Sequence, residues 1–123
     1  MSPLAYRKLQ GRHTLLRIFL GESDKAGHKP LYMEILRRAR GLGLAGCTVL
    51  RGIAGFGATS VVHRNFPPDF SLDMPIVVEV VDTPANTRRL LKEIAPLLQG
   101  ILVTEEKVGV LRYGHGRPSR KKA

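Results

Sequence analysis

Apolar positions change period along the chain in a fixed order. His13-Thr14-Leu15-Leu16-Arg17-Ile18-Phe19-Leu20 is rich in branched and aromatic residues and predicts a first strand. Gly21 to Lys29 reads as loop, and Pro30 suits the first turn of a helix, where its missing N–H is not needed. Leu31, Ile35 and Leu42, with Tyr32, Leu36 and Ala39, form a stripe at helical spacing, while Glu34, Arg37, Arg38 and Arg40 face out. Gly41 and Gly43 end this helix, and Cys47 to Arg51 predicts a second strand. From Ala58 to Met74 the pattern weakens around Pro67, Pro68, Asp69 and Asp73, which predicts a long connection with one short run, Ser60-Val61-Val62-His63. Pro75 to Asp82 predicts a third strand, and Asp82 or Thr83 caps a second helix with Pro84 in its first turn. Leu90, Ile94 and Leu97, with Leu91 and Leu98, line that helix's buried side; Arg88, Arg89, Lys92 and Glu93 line the other. Gly100 precedes Ile101-Leu102-Val103-Thr104, then Glu105 and Glu106, read as solvated turn charges, then a last apolar run from Val108 to Leu111.

The two halves match as strand, loop, proline-started helix, glycine, strand. This is the α+β, ferredoxin-like βαββαβ sandwich: one antiparallel sheet, two helices on one face, the first and third strands side by side at the centre. The other face of such a sheet is left bare, and in a lone monomer it should be polar. Here it is not. Leu16, Ile18 and Leu20 share one side of the first strand and Leu15, Arg17 and Phe19 the other; in the third, Ile76, Val78 and Val80 oppose Val77, Glu79 and Val81. Both sides are mostly apolar, which predicts assembly of copies through the open sheet face. Arg17 and Glu79 lie on adjacent central strands, as a cross-strand pair or as two separate surface charges.

Composition narrows the setting. The chain has 123 residues, enough for one domain that buries about two thirds of its unfolded surface. Cys47 is the single cysteine, so no internal disulfide forms and a reducing cytoplasm fits. No apolar run follows the basic N-terminus within twelve residues, so no secretory leader is expected, and the longest apolar runs are too short to span a bilayer. The net charge of +10 suggests nucleic acid until it is located. Seven of the twenty basic residues are Arg7, Lys8 and Arg12 near one end and Arg117, Arg120, Lys121 and Lys122 at the other. This divides the chain into a basic N-terminal extension (1–12), a folded domain (13–113) and a basic flexible tail (114–123).

The densest candidate chemistry lies in Gly43-Leu44-Ala45-Gly46-Cys47-Thr48-Val49-Leu50-Arg51-Gly52-Ile53-Ala54-Gly55-Phe56-Gly57. A strand running into Gly52, Gly55 and Gly57 is either a backbone cradle for an anion or a bent edge strand with a bulge. No enzyme motif is present: there is no Walker A pattern and no Ser-His-Asp arrangement. His13, His28, His63 and His115 are scattered without ligand spacing. Of these, His63 is the one that a three-fold assembly would bring near its own copies; otherwise it is a surface imidazole.

That glycine block, together with Leu16-Arg17-Ile18-Phe19-Leu20-Gly21-Glu22-Ser23-Asp24-Lys25 and Lys29-Pro30-Leu31-Tyr32, resembles a bacterial and archaeal domain-of-unknown-function family related to the nitrogen regulatory PII signalling proteins. The resemblance covers about residues 13 to 112. It implies a PII-like homotrimer that binds an adenine nucleotide (ATP, ADP or AMP) as effector in clefts between subunits. It also implies that the loop 58–74 signals to a partner protein, a membrane transporter among the candidates. Carried over residue by residue, Thr48 and Gly55-Phe56-Gly57 take positions like those that wrap the nucleotide, and Arg112 falls near a phosphate-binding arginine. With Arg51 and Gly52 from the cradle, the candidate binding residues are Thr48, Arg51, Gly52, Gly55, Phe56, Gly57 and Arg112. Backbone N–H groups and a guanidinium fork suit phosphate, and Phe56 suits a base. One departure stands out: where PII has a lysine-bearing glycine-rich loop, Leu98-Gln99-Gly100-Ile101-Leu102 has one glycine and no lysine.

Two other classes share the architecture. A CutA-like trimer of the divalent-cation-tolerance type needs metal-competent side chains in its intersubunit clefts. RNA-reading domains need base-stacking aromatics on the sheet, where this chain places Ile53, Gly55 and Ala58, which leaves only nonspecific nucleic-acid binding through the tails.

Overall fold

The computed structural model describes residues 7–57 and 73–115, and in them the period-two runs pair into one four-stranded antiparallel sheet. The elements are β1 (Arg7–Gly21), a small hairpin of β2 (Lys25–Ala26) and β3 (Lys29–Pro30), α1 (Leu31–Gly41), β4 (Thr48–Arg51), β5 (Pro75–Asp82), α2 (Pro84–Ile94) with a 3₁₀ turn at Ala95–Leu97, and β6 (Leu102–His115). The strand order β4-β5-β1-β6 puts the first and third predicted strands at the centre, the ferredoxin-like plan.

Register follows from side-chain alternation. Leu16 faces Val80, Ile18 faces Val78 and Leu20 faces Ile76, so one side of the central pair is continuous hydrocarbon. Against it α1 lays Leu31, Ile35 and Ala39, and α2 lays Leu90 and Ile94, all buried. Thr83 caps α2 by accepting a hydrogen bond from the Asn86 N–H at 3.1 Å, with Pro84 in the first turn. Pro30 sits just before α1 rather than within it, and the Leu31 N–H donates instead to the Asp24 carbonyl at 2.8 Å. Gly43, at φ 78°, turns the chain back so that the Leu44 N–H reaches the Ala39 carbonyl at 3.2 Å.

The ends of the sheet differ from the sequence reading. β1 begins at Arg7, six residues before the predicted strand, and β6 runs unbroken through Glu105 and Glu106, which are strand residues and not turn charges. Residues 7–12 therefore belong to the sheet rather than to a separate extension, and 114–115 continue β6. The two strands pair from Phe19↔Leu102 to Arg7↔His115, with a register shift between Leu9 and Gly11. Gly11, at φ 92°, is the residue that accommodates this bulge. Most of the predicted loop 58–74 (58–72), with His63, lies outside the described residues, as do 1–6 and 116–123.

The face away from the helices carries an apolar row that crosses all four strands: Leu102, Phe19, Val77 and Leu50. Phe19 is 36% exposed, Leu50 48% and Leu102 61%. In the next row Arg17 and Glu79 are direct partners, with Arg17 Nε 2.9 Å from Glu79 Oε2 and Arg17 Nη1 3.4 Å from Glu106 Oε1.

On α1, Glu34 is buried and held at 2.6 Å by Arg37 Nη2 and at 2.8 Å by Arg38 Nε. Hydrogen bonds from Arg37 and then Arg38 lower its carboxyl from an ordinary 4.5 to about 2. A depressed native value means the unfolded chain takes up this proton first as pH falls, so the contribution is complete above about 4.5 and is lost on the way down through about 2. The Glu34→Gln variant is expected to show a flatter dependence of its urea midpoint on pH between 6 and 2 than the parent chain.

Candidate functional site

The loop between α1 and β4 is tied from both sides at one residue, Ala45. The Ala45 N–H donates to Asp82 Oδ2 at 2.7 Å, and the Ala45 carbonyl accepts from the Tyr113 hydroxyl at 2.9 Å. Asp82, fully buried at the end of β5, also accepts from the Thr83 N–H at 2.7 Å and from Asn86 Nδ2 at 2.9 Å. These bonds satisfy a carboxylate that would otherwise be costly to bury. They join the end of β5, the start of α2, the loop and the late part of β6.

Beside this junction lies a cleft of about 320 Å³ whose walls include Ala45, Cys47, Thr48, Glu79, Arg112 and Tyr113. Arg112 and Tyr113 reach it because β6 runs on to His115, paired with the early residues of β1. Glu79 is the acid in the cleft, and its Oε2 is engaged by Arg17. Burial pushes the Cys47 thiol up from 9.0 to about 11, which keeps it protonated at neutral pH.

The seven candidate residues fall into two groups. Thr48 and Arg112 meet in the cleft. Arg51, Gly52, Gly55, Phe56 and Gly57 lie at and beyond the other end of β4 and do not line it. Arg51 Nε pairs with Glu22 Oε1 at 3.1 Å, and the Gly52 N–H donates to the Pro75 carbonyl at 2.7 Å. A Cβ on Gly52 would stand 2.8 Å from Pro75 Cγ, and one on Gly55, at φ 148°, 3.3 Å from the same atom. Close approach of β5 therefore accounts for both glycines, without a ligand. Phe56 is 80% exposed.

Around this end the turn after β1 is stitched to the chain returning into β5. The Glu22 N–H donates to the Met74 carbonyl at 2.8 Å, and Ser23 donates to Asp73 Oδ1 from its N–H at 3.0 Å and its hydroxyl at 2.8 Å.

Sequence reasoning missed Ala45, Cys47, Glu79 and Tyr113 as walls of the cleft. The tyrosine is the one with a local signal, an aromatic beside the predicted Arg112. Among the described residues, no group of three or more His, Cys, Asp or Glu side chains is placed to hold a metal ion, as the divalent-cation alternative requires. None of the described helices is long and apolar enough to cross a membrane.

The fold has counterparts among known proteins. The DUF190 family model (Uncharacterized ACR) matches residues 13–110. The chain belongs to the DUF190 family. A UPF0166 protein of Aquifex aeolicus (strain VF5) is 37% identical over 92 residues, covering 75% of this chain and 88% of that protein. A UPF0166 protein of Methanocaldococcus jannaschii is 29% identical over 94 residues, covering 74% and 86%. Among solved structures, a protein of Thermus thermophilus described as PII-like signaling aligns with a TM-score of 0.57 at 16% identity, over 82% of this chain and 91% of that one. CPII from Thiomonas intermedia K12, bound to ADP, AMP and acetate, aligns with a TM-score of 0.51 at 20% identity, over 89% and 94%. At these identities the likeness is one of fold, and this DUF190 chain has the PII-like form of the ferredoxin-like sandwich.

Two outcomes follow from the geometry. Iodoacetamide should modify Cys47 at pH 8 roughly a hundredfold more slowly than an unperturbed thiol, with the rate climbing toward pH 11, as read by intact mass. Gly52→Ala, which must displace Pro75, should cost about 1–3 kcal/mol in urea denaturation, whereas Gly46→Ala, with nothing within 4 Å of the added carbon, should stay within about 0.5 kcal/mol of the parent.

Proposed function

We propose that this DUF190 protein is a cytoplasmic regulatory module without catalytic chemistry, which assembles as a homotrimer through its open sheet face. In this reading it binds an adenine nucleotide (ATP, ADP or AMP) at a cleft completed by a neighbouring copy. The observation that carries the reading is the meeting of Thr48 and Arg112 in one cleft. A hydroxyl and a guanidinium fork are suitable partners for phosphate, and Arg112 forms no ion pair among the described residues. At about 320 Å³ the cleft is at the lower end of the roughly 300–1,000 Å³ typical of small-molecule sites, so a second wall from another copy fits the need. The exposed row of Leu102, Phe19, Val77 and Leu50 supports association through the sheet. The PII-like fold, shared with CPII bound to ADP and AMP, supports the nucleotide class.

Occupancy is proposed to act on a partner protein, a membrane transporter among the candidates, through the loop 58–74. Such control requires the nucleotide to interact differently with two arrangements of that loop. β4 links cleft and loop, with Thr48 in the cleft and Arg51, paired with Glu22, at the end that leads toward the loop.

The test is calorimetry of the full chain with ATP, ADP, AMP and inorganic phosphate, with mass measured by light scattering. A trimer mass is expected, with at least one nucleotide binding more tightly than phosphate. Arg112→Ala should weaken that binding at least tenfold with Tm unchanged, and Phe19→Glu should shift the mass toward monomer and abolish binding. A monomeric parent chain, or nucleotide binding indifferent to Arg112, would overturn the proposal.

A further inference from the structure

The outward side of α1 carries a second depression, of about 480 Å³, far from the sheet face. Pro30, Met33 and Leu36 make its apolar floor, and Lys29, Arg37 and Arg40 stand around it. The fold does not require this arrangement. The residues that seat α1 on the sheet are Leu31, Ile35 and Ala39, whereas Met33 is 47% exposed.

The charge at this site is one-sided. Glu34 is the acid lining the groove, and both its oxygens are engaged, Oε1 by Arg37 Nε at 3.2 Å and Oε2 by Arg37 Nη2 and Arg38 Nε. Lys29 and Arg40 form no ion pair among the described residues, so their charges face outward uncompensated. Met33, Leu36 and Arg40 recur at helical spacing along α1, and Lys29, in β3 just before the helix, stands at the other end, so the apolar pair is flanked by a cation on each side.

A matching occupant must supply apolar side chains to the floor and anions to the ends. Nucleic acid supplies the anions but no aliphatic group for Met33 and Leu36. An anionic bilayer supplies both, but presents a flat plane of phosphates, whereas these apolar side chains lie in a groove between the cations. A peptide segment with leucine-like anchors flanked by carboxylates meets both requirements within one helix length. We infer that the α1 groove is a docking site for an acidic segment of a partner protein, its apolar anchor on Met33 and Leu36 and its carboxylates on Lys29 and Arg40. This surface is independent of the nucleotide cleft, and association through the open sheet face leaves it uncovered.

Met33 is itself the reporter. In the full chain labelled with ¹³C at the methionine methyls, three residues give signals, Met1, Met33 and Met74. The probe is a twelve-residue peptide with two leucines four apart and glutamates on both sides; its controls carry serine in place of leucine. Phosphatidylglycerol vesicles and a twelve-nucleotide oligouridylate are the competing surfaces. Expected are a shift of the Met33 methyl with Met74 unmoved, binding at least tenfold tighter than the serine control, and a loss of at least tenfold in Arg40→Glu and in Met33→Gln, both with Tm unchanged. Equal binding of the serine control, an unmoved Met33 signal, or tighter binding of vesicles or oligouridylate at Met33 would each overturn the assignment.

Discussion

Strands β1 and β5 carry hydrocarbon on both of their faces, and two helices shield only one. Leu16, Ile18 and Leu20, with Ile76, Val78 and Val80, take the shielded side and define the core. Everything on the other side inherits an unbalanced surface. The Arg17–Glu79 pair sits within it, about one third exposed on each partner. In water such a pair contributes little. Covered by a second sheet it would lose its solvent, and removing either partner would then strand a buried charge. The same contact is thus weak in a lone chain and would become a stringent condition on alignment in the sheet-packed assembly proposed above.

The parts of the fold legible in the sequence are those where periodicity and punctuation agree. Pro75 to Asp82 is bounded by proline and by a helix cap, and β5 has those bounds. The outer reaches of β1 and β6 are not legible, for a physical reason. Paired strands are held by backbone hydrogen bonds, which ignore side-chain polarity, so Arg7 and Lys8 at the far end, and Glu105 and Glu106 opposite Leu16 and Leu15, sit in a ladder without an apolar signature.

The candidate site is legible in the same uneven way. Thr48 and Arg112 are named through resemblance, and their shared cleft depends on the ladder that periodicity does not show. The Ala45 clamp is made by Asp82 and Tyr113 from 37 and 68 residues away, a separation no local pattern encodes. Gly52 and Gly55 have two readings as glycines, cradle or bent edge. The nearness of Pro75 gives them a structural reason that the linear sequence does not contain.

The stitches around Glu22, Ser23, Asp73 and Met74, with Arg51 and Gly52 opposite, form a closed collar where the chain departs from the sheet and comes back. A collar of this kind makes the fold indifferent to the span it encloses, because lengthening a loop whose ends are already tied adds only slowly to the entropy of closing it. The sandwich is thereby insulated, at Glu22, Ser23, Asp73 and Met74, from changes made between those ties.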